Sequence, residues 1–419
     1  MPYSIFGNKF TRHSGITELM DDLNQGVQGG DDLLMLGGGN PATIPEIEIT
    51  IQGLLQKLLD QGKLLKTLAN YDGPQGKNSF IDALVELFNE LYDWGLTADN
   101  IMLTNGSQSA FFYLFNLLAG DFKAGKKRKI LFPLAPEYIG YADACVSEDV
   151  FVAVKPKISE LENRHFKYHV DFDALKIDDD IAAICVSRPT NPTGNVLTDD
   201  EIEKLDKLAH ENNIPLIIDN AYGVPFPNMI FADVTPFWNE NTIICLSLSK
   251  FGLPGARCGI VIANPKIVKA MSNLSGIMAL SPGSIGPEIA LPLVKSRDIL
   301  KLSDQVIKPF YQNKSQRAIQ LLQDKIKSPN FRIHEAEGAL FLWLWFKDLP
   351  ISSDSLYKIL KKKGVIVVSG HYFFPGLSQQ WPHTNECIRL NYAQSETVLV
   401  RAIDIIADTI NALYETGSV

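Results

Sequence analysis

Five short segments carry residue types that could do chemistry, and each lies at or just past the end of an apolar run of strand type. Open α/β sheets bind ligands at that place, outside the carboxyl ends of their strands. Ser247-Leu-Ser-Lys250 ends one run, and Gly252-Leu-Pro-Gly255-Ala-Arg257 follows it. A lysine enclosed among small hydroxyls and glycines, its pKa lowered by burial, can attack a carbonyl as a free amine. The plain alternative is a lysine that caps a strand end, and the motif alone favours neither. Asp219-Asn-Ala-Tyr222 closes the run PLIIDNAY. A carboxylate behind that run is costly to bury alone, so it calls for a cation: a protonated pyridine nitrogen, or a neighbouring Arg or Lys. Cys387-Ile-Arg389-Leu-Asn-Tyr392 sets an arginine in an otherwise apolar strand. Buried arginines face carboxylates in a bidentate pair, here an internal Asp or Glu or a substrate carboxylate. Asn191-Pro-Thr-Gly194 is turn chemistry by itself; its interest is its place, 219 − 191 = 28 residues ahead of Asp219. Thr104-Asn-Gly-Ser-Gln-Ser109 joins a strand to a helix, where glycine and hydroxyls make either an anion cradle or an ordinary helix cap.

Each signal is weak to moderate alone. Taken in order they describe one site: a lysine, an acid, a hydrogen-bonding Asn and Tyr, a phosphate cradle and a carboxylate fork. Pyridoxal phosphate chemistry on an amino acid requires that set.

The elements that must position these residues are legible as periodicity. Strands are expected at 101–104, 130–133, 151–154, 181–187, 215–219, 242–248 and 259–262. Most are near-continuous apolar runs, the pattern of a parallel sheet covered on both faces. Helices are expected between them. Residues 79–94 carry the stripe Phe80, Leu84, Leu87, Phe88 and Leu91; residues 108–118 follow a strand directly; residues 198–212 open with a Thr198…Glu201 capping box. Strand, helix, strand in sequence implies an α/β domain with right-handed crossovers. The C-terminal part reads differently: a hairpin over 331–346, a helix at 353–363, strands at 365–369 and 387–392, and a long amphipathic helix at 397–415. The expected division is an N-terminal segment, 1–45, packing with a small α+β domain at 286–419, and a large α/β domain at 46–285.

Composition excludes several classes. The 419 residues are 46% hydrophobic and 21% charged, which suits a globular chain with a large core. Lys plus Arg is 39 and Asp plus Glu is 48, so the net charge is −9, and nothing draws the chain to nucleic acid or an anionic membrane. The basic run at 123–129 is expected as a solvated loop. No signal peptide and no membrane span are read; the stretch at 338–346 fits a buried strand. The five scattered cysteines fit buried free thiols in a reducing cytoplasm, and the seven histidines show no metal-ligand spacing, so no metal is expected.

The order N-P-T-G, D-x-A-Y, S-x-S-K, then G-x-R resembles fold type I pyridoxal phosphate enzymes of the class I/II aminotransferase family, over essentially the whole chain. The stretches GGGNPA (37–42), YDGPQGK (71–77), FPLAPEYIGYADA (132–144), SRPTNPTGN (187–195) and IDNAYGVPFP (218–227) narrow the resemblance to members that exchange an amino group between L-valine and pyruvate. The resemblance implies pyridoxal 5'-phosphate on Lys250 as Schiff-base lysine and proton shuttle, with Asp219 at the pyridinium nitrogen. It implies Asn191 and Tyr222 at the phenolic oxygen and Tyr138 stacked on the ring. Gly106, Ser107, Gln108, Ser247 and Arg257 would hold the phosphate, joined by Tyr71 from the other subunit of a homodimer with shared active sites. Arg389 would bind the substrate carboxylate, with Gly39 and Asn191 lining that pocket. Arg257 follows Lys250 by 257 − 250 = 7 positions, where many relatives have eight. C–S lyases use the same residue types; they differ in needing no keto-acid acceptor. Aminotransferase-like ligand sensors carry a DNA-binding domain ahead of such segments, and the acidic balance and the start of the family segments by residue 37 argue against that class.

Overall fold

Strands that are apolar on both faces must be covered on both faces. In the computed structural model, which describes residues 2–28 and 33–417, eight strands form one such sheet. Its order is Ile101–Thr104, Gly259–Ile262, Thr242–Ser247, Leu216–Asp219, Ile181–Ser187, Lys127–Phe132 and Gly120–Asp121, with Phe151–Ala153 also paired to Lys127–Phe132. The pairings among 242–247, 216–219, 181–187, 127–132 and 151–153 are parallel. Strand Gly259–Ile262 runs antiparallel to both neighbours. The register lines up the strand ends that matter: Ser187 lies beside Asp219, Asp219 beside Cys245, and Ser247 beside Gly259, itself beside Thr104.

Helices cover the sheet as their stripes demand. Asn78–Tyr92 buries Phe80, Leu84, Leu87 and Phe88, while Leu91 is 38% exposed, at the edge of the stripe. Asp199–Glu211 begins with the expected capping box: Glu201 N–H donates to Thr198 Oγ1 at 3.2 Å, and Thr198 N–H donates to Glu201 Oε2 at 2.9 Å. Lys127, Arg128 and Lys129 open the strand Lys127–Phe132 instead of extending a loop. The two lysine heads are met nearby, Lys129 by Asp180 at 2.6 Å and Lys127 by Glu148 O at 2.8 Å, while Arg128 keeps a buried Nε without a partner.

The second sheet has six strands: Val368–Ser369, Cys387–Asn391, Phe341–Phe346, Phe331–His334, His165–His169 and Lys157–Glu160. The last two come from inside the 46–285 segment, so this sheet recruits a hairpin from the middle of the chain. Conversely, Ile285–Ser296 packs on Asn78–Tyr92 of the larger layer. The stretch 365–369, expected as one strand, is shared between sheets. Val365–Ile366 pairs with Leu34–Met35 and Val368–Ser369 pairs with Cys387–Asn391. The N-terminal helix Gly15–Gln28 is tied to helix Ser353–Lys362 through buried Asp22, which accepts from Tyr357 Oη at 2.5 Å and Lys361 Nζ at 2.6 Å. Residues 29–32 of the expected N-terminal segment, like residues 1, 418 and 419, lie outside the described part. Among the described residues no helix is long and apolar enough to cross a membrane.

Leu87 is fully enclosed in the main core. Leu87→Ala should destabilise the fold by about 2–5 kcal/mol. Chemical denaturation should show this as a lower midpoint with an unchanged slope.

Candidate active site

The aligned strand ends open into a cavity of about 650 Å³, within the range that encloses small ligands. Its polar wall contains Ser107, Gln108, Tyr138, Asn191, Asp219, Tyr222, Ser247, Lys250, Arg257 and Arg389, with Gly39 at the lip. These residues come from seven separate stretches of chain, brought together by the register of the sheet.

Lys250 sits in the short turn Leu248–Phe251 that ends the strand Thr242–Ser247. Its Nζ donates to Gly39 O at 2.6 Å and lies 5.3 Å from the Tyr222 ring centre. Burial lowers its pKa to about 8, helped by the positive charges of Arg389 and Arg257 and opposed by Asp219. A lysine in this state supplies free amine near neutral pH.

Asp219 has no ion-pair partner among the described residues. Tyr141 Oη donates to its Oδ2 at 2.6 Å and Ala221 N–H to its Oδ1 at 3.0 Å. Burial raises its pKa to about 6 against the pull of these bonds and of Lys250. Lys250 lies near enough to pull on this acid, yet no Arg or Lys among the described residues meets it in an ion pair.

Arg389 tells the same story with the opposite sign. It is 1% exposed, yet both its recorded acceptors are neutral: Asn191 Oδ1 at 2.7 Å and Gly37 O at 2.5 Å. Its Nε is buried without a partner, and its guanidinium stacks 4.1 Å from the Phe341 ring centre. Burial lowers its pKa to about 10. A buried guanidinium with neutral acceptors is suited to a carboxylate from outside the chain.

The helix N-terminus expected as an anion cradle is built on close backbone approach. Gly106 caps the helix Ser107–Leu118 at φ +83°, and a Cβ there would stand 2.2 Å from Arg257 Nη2. Gly259 admits no Cβ either, since one would lie 2.7 Å from Ser107 N. Arg257 adopts φ +48°, which swings its side chain back so that Nη2 donates to Asn105 O at 3.3 Å. The seven-residue spacing from Lys250 thus still delivers its guanidinium to the helix N-terminus. Gln108 donates to Gly140 O at 3.0 Å and leaves its buried Oε1 unpartnered.

Tyr71 stands apart from this cavity. It is 81% exposed, in the same chain's loop before Gly73. Several contributors escaped the sequence reading. Tyr141 holds Asp219, and Ser187 and Glu137 stand behind it. Asn391 donates to Gly38 O at 2.6 Å and so fixes the lip. Ile16, Leu19, Met20 and Leu23, all from helix Gly15–Gln28, form an apolar wall of the cavity. Their i, i+3, i+4, i+7 spacing was the available signal; nothing local said which surface the stripe would face.

An α/β sheet with flanking helices, and a lysine, an acid and an anion cradle at its carboxyl edge, defines the fold type I class of pyridoxal-phosphate enzymes. The chain belongs to the aminotransferase class I and II family, whose model matches residues 32–406. It is 54% identical to the valine–pyruvate aminotransferase of Escherichia coli (strain K12), over 99% of each chain. It superposes on a solved valine–pyruvate aminotransferase from Salmonella typhimurium LT2 with a TM-score of 0.89 at 52% identity, covering 96% of this chain and 100% of that one. A putative amino-acid aminotransferase from Psychrobacter arcticum 273-4 gives a TM-score of 0.97 at 47% identity, covering 99% and 100%.

Labelling of Lys250 by an amine-selective reagent, followed by mass spectrometry on cofactor-free protein, should rise with a midpoint near pH 8. Arg389→Ala should move that midpoint upward, because it removes a positive neighbour.

Proposed function

We propose that this chain transfers the amino group between L-valine and pyruvate, giving 3-methyl-2-oxobutanoate and L-alanine, with pyridoxal 5'-phosphate as cofactor. The observation that carries the reading is the full-length 54% identity to an enzyme named for that exchange. The donor set fits the cofactor: an unpaired buried acid for the ring nitrogen, a lysine of lowered pKa for the aldehyde, and a helix N-terminus with Arg257 for the phosphate. When bound, pyridoxal phosphate supplies an electron sink that makes the substrate Cα–H acidic.

Lys250 would hold the cofactor covalently, and its amine, when free, would act as the general base that takes and returns the proton of the substrate Cα. Asp219, kept in place by Tyr141, would keep the ring nitrogen protonated. Asn191 and Tyr222 would hydrogen-bond the phenolic oxygen, and Tyr138 would lie on the ring face. Gly106, Ser107, Gln108, Ser247 and Arg257 would hold the phosphate. Arg389 would exchange neutral acceptors for a bidentate bond to the substrate carboxylate and so fix the Cα–H bond's direction, with Gly39 and Asn191 lining the same pocket.

The apolar wall of Ile16, Leu19, Met20 and Leu23 supports a donor with an aliphatic side chain. We further propose a cytoplasmic homodimer in which Tyr71 reaches the phosphate of the other subunit. Its support is the exposure of Tyr71 beside other exposed apolar side chains, Leu65 and Leu68, and the five buried free cysteines.

The test is the visible spectrum of the purified protein with L-valine and no keto acid. The cofactor band should convert to the amine form, and pyruvate should restore it. Release of ammonia without an acceptor would instead support a lyase. Lys250→Ala should lose at least about 10²–10⁴-fold in turnover, the contribution of a general base. Leu19→Ala should favour L-isoleucine or L-leucine relative to L-valine by about 10-fold or more in kcat/KM, the lower end of what one methylene is worth in a pocket.

A further inference from the structure

Glu137 has no role in the scheme above, yet it is buried directly behind it. It is 2% exposed and has no ion-pair partner among the described residues. Ser187 N–H donates to its Oε1 at 2.9 Å; Ser187 Oγ lies 2.5 Å from its Oε2, and Tyr138 N–H reaches that oxygen at 3.3 Å. Ser187 Oγ is 3.5 Å from Tyr141 Oη, the longest link, and Tyr141 Oη donates to Asp219 at 2.6 Å. Ser187 and Asp219 are also register neighbours in the sheet. The groups form one chain from Glu137 to the wall of the cavity.

We propose that Glu137 is a positioning residue: as a neutral acid it turns the Ser187 and Tyr141 hydroxyls toward Asp219 and so sets how strongly Asp219 competes for the ring proton. This rests on the reading of Asp219 as the partner of the ring nitrogen.

The proton count decides the direction of the chain. Each hydroxyl has one proton to give. Tyr141 gives its proton to Asp219. If Glu137 were ionised, Ser187 would give its proton to Glu137, and Tyr141 would receive nothing. If Glu137 carries a proton, it donates to Ser187, Ser187 donates to Tyr141, and all three bonds point toward Asp219, each polarising the next. Burial favours the neutral acid. It raises the Glu137 carboxyl to about 8, Asp219 adds to the rise, and the bonds from Ser187 and Tyr138 oppose it. The other titratable groups that face Glu137, Tyr141 and Cys185, are themselves pushed up by burial and stay neutral.

Glutamine is the mimic of this state. Its carbonyl accepts from Ser187 N–H, and its amide donates to Ser187 Oγ, giving up only the long contact from Tyr138 N–H at 3.3 Å. Alanine removes the donor at the head of the chain, so the Ser187 hydroxyl is free to turn away from Tyr141. Without its polarised donor Asp219 is more basic, takes a larger share of the ring proton, and leaves the ring less positive. The lysine-linked nitrogen then keeps its proton to higher pH.

In the holoenzyme, Glu137→Ala and Ser187→Ala should therefore raise the pH midpoint of the cofactor's visible band by about 0.5 unit or more, a roughly threefold change in the equilibrium. Both should lower kcat and leave KM near its wild-type value, while Glu137→Gln should restore the wild-type midpoint. A folded Glu137→Ala protein with an unmoved midpoint would overturn the proposal, and so would Glu137→Gln behaving like Glu137→Ala. Should Glu137→Ala not fold, thermal melts of cofactor-free wild type and Glu137→Gln decide. A carboxyl raised from 4.5 to about 8 on folding stabilises most at low pH and loses that contribution as pH climbs toward 8. Wild type should accordingly fall relative to Glu137→Gln between pH 5 and 8, and parallel curves would sink the neutral-acid assignment. Absence of any cofactor band would defeat the reading of Asp219, while the melts would still report on Glu137.

Discussion

Three buried or half-buried ionisable groups, Lys250, Asp219 and Arg389, share one cavity without neutralising one another. Everything else in the structure answers to that constraint. Unpaired charge away from water is expensive, so each group is met by neutral dipoles: a backbone carbonyl for Lys250, a phenol and an amide for Asp219, an amide oxygen and a carbonyl for Arg389. The cost shows in the titration of all three, each displaced toward its neutral form mainly by burial. Only an extensive core can hold such a site in place, and the main apolar cluster runs beneath it from both sheets.

The larger sheet was largely legible in the sequence, because its strands are continuous apolar runs with turn residues between them. Their observed limits, such as Ile101–Thr104, Ile181–Ser187 and Gly259–Ile262, follow those runs. The second sheet was less legible. Strand His165–His169 alternates buried and half-buried residues, which is a fair local signal, but its partner Phe331–His334 is far along the chain and no local pattern names it. The break at Val367 is similar: five residues of uniform strand type serve two sheets, and only the assembled fold divides them.

In the site, the residues with unusual chemistry for their surroundings were found: a lysine after a strand, an acid after an apolar run, an arginine within one. Those packed behind them were not. Tyr141 and Ser187 are ordinary residue types, and their importance is purely a matter of where Asp219 lies. The aliphatic wall was missed for a related reason. Helix Gly15–Gln28 precedes every motif in the sequence, and its place across the cavity depends on Asp22 meeting Tyr357 and Lys361 more than 300 residues later.

Gly106 shows how narrow the tolerance of such a site can be. Its missing side chain is the space that the Arg257 guanidinium occupies. The smallest possible replacement at 106 would displace that head, and it would also strain a backbone held at φ +83°. Mutational drift at that position has no mild form: the first methyl group already contests the place of the arginine.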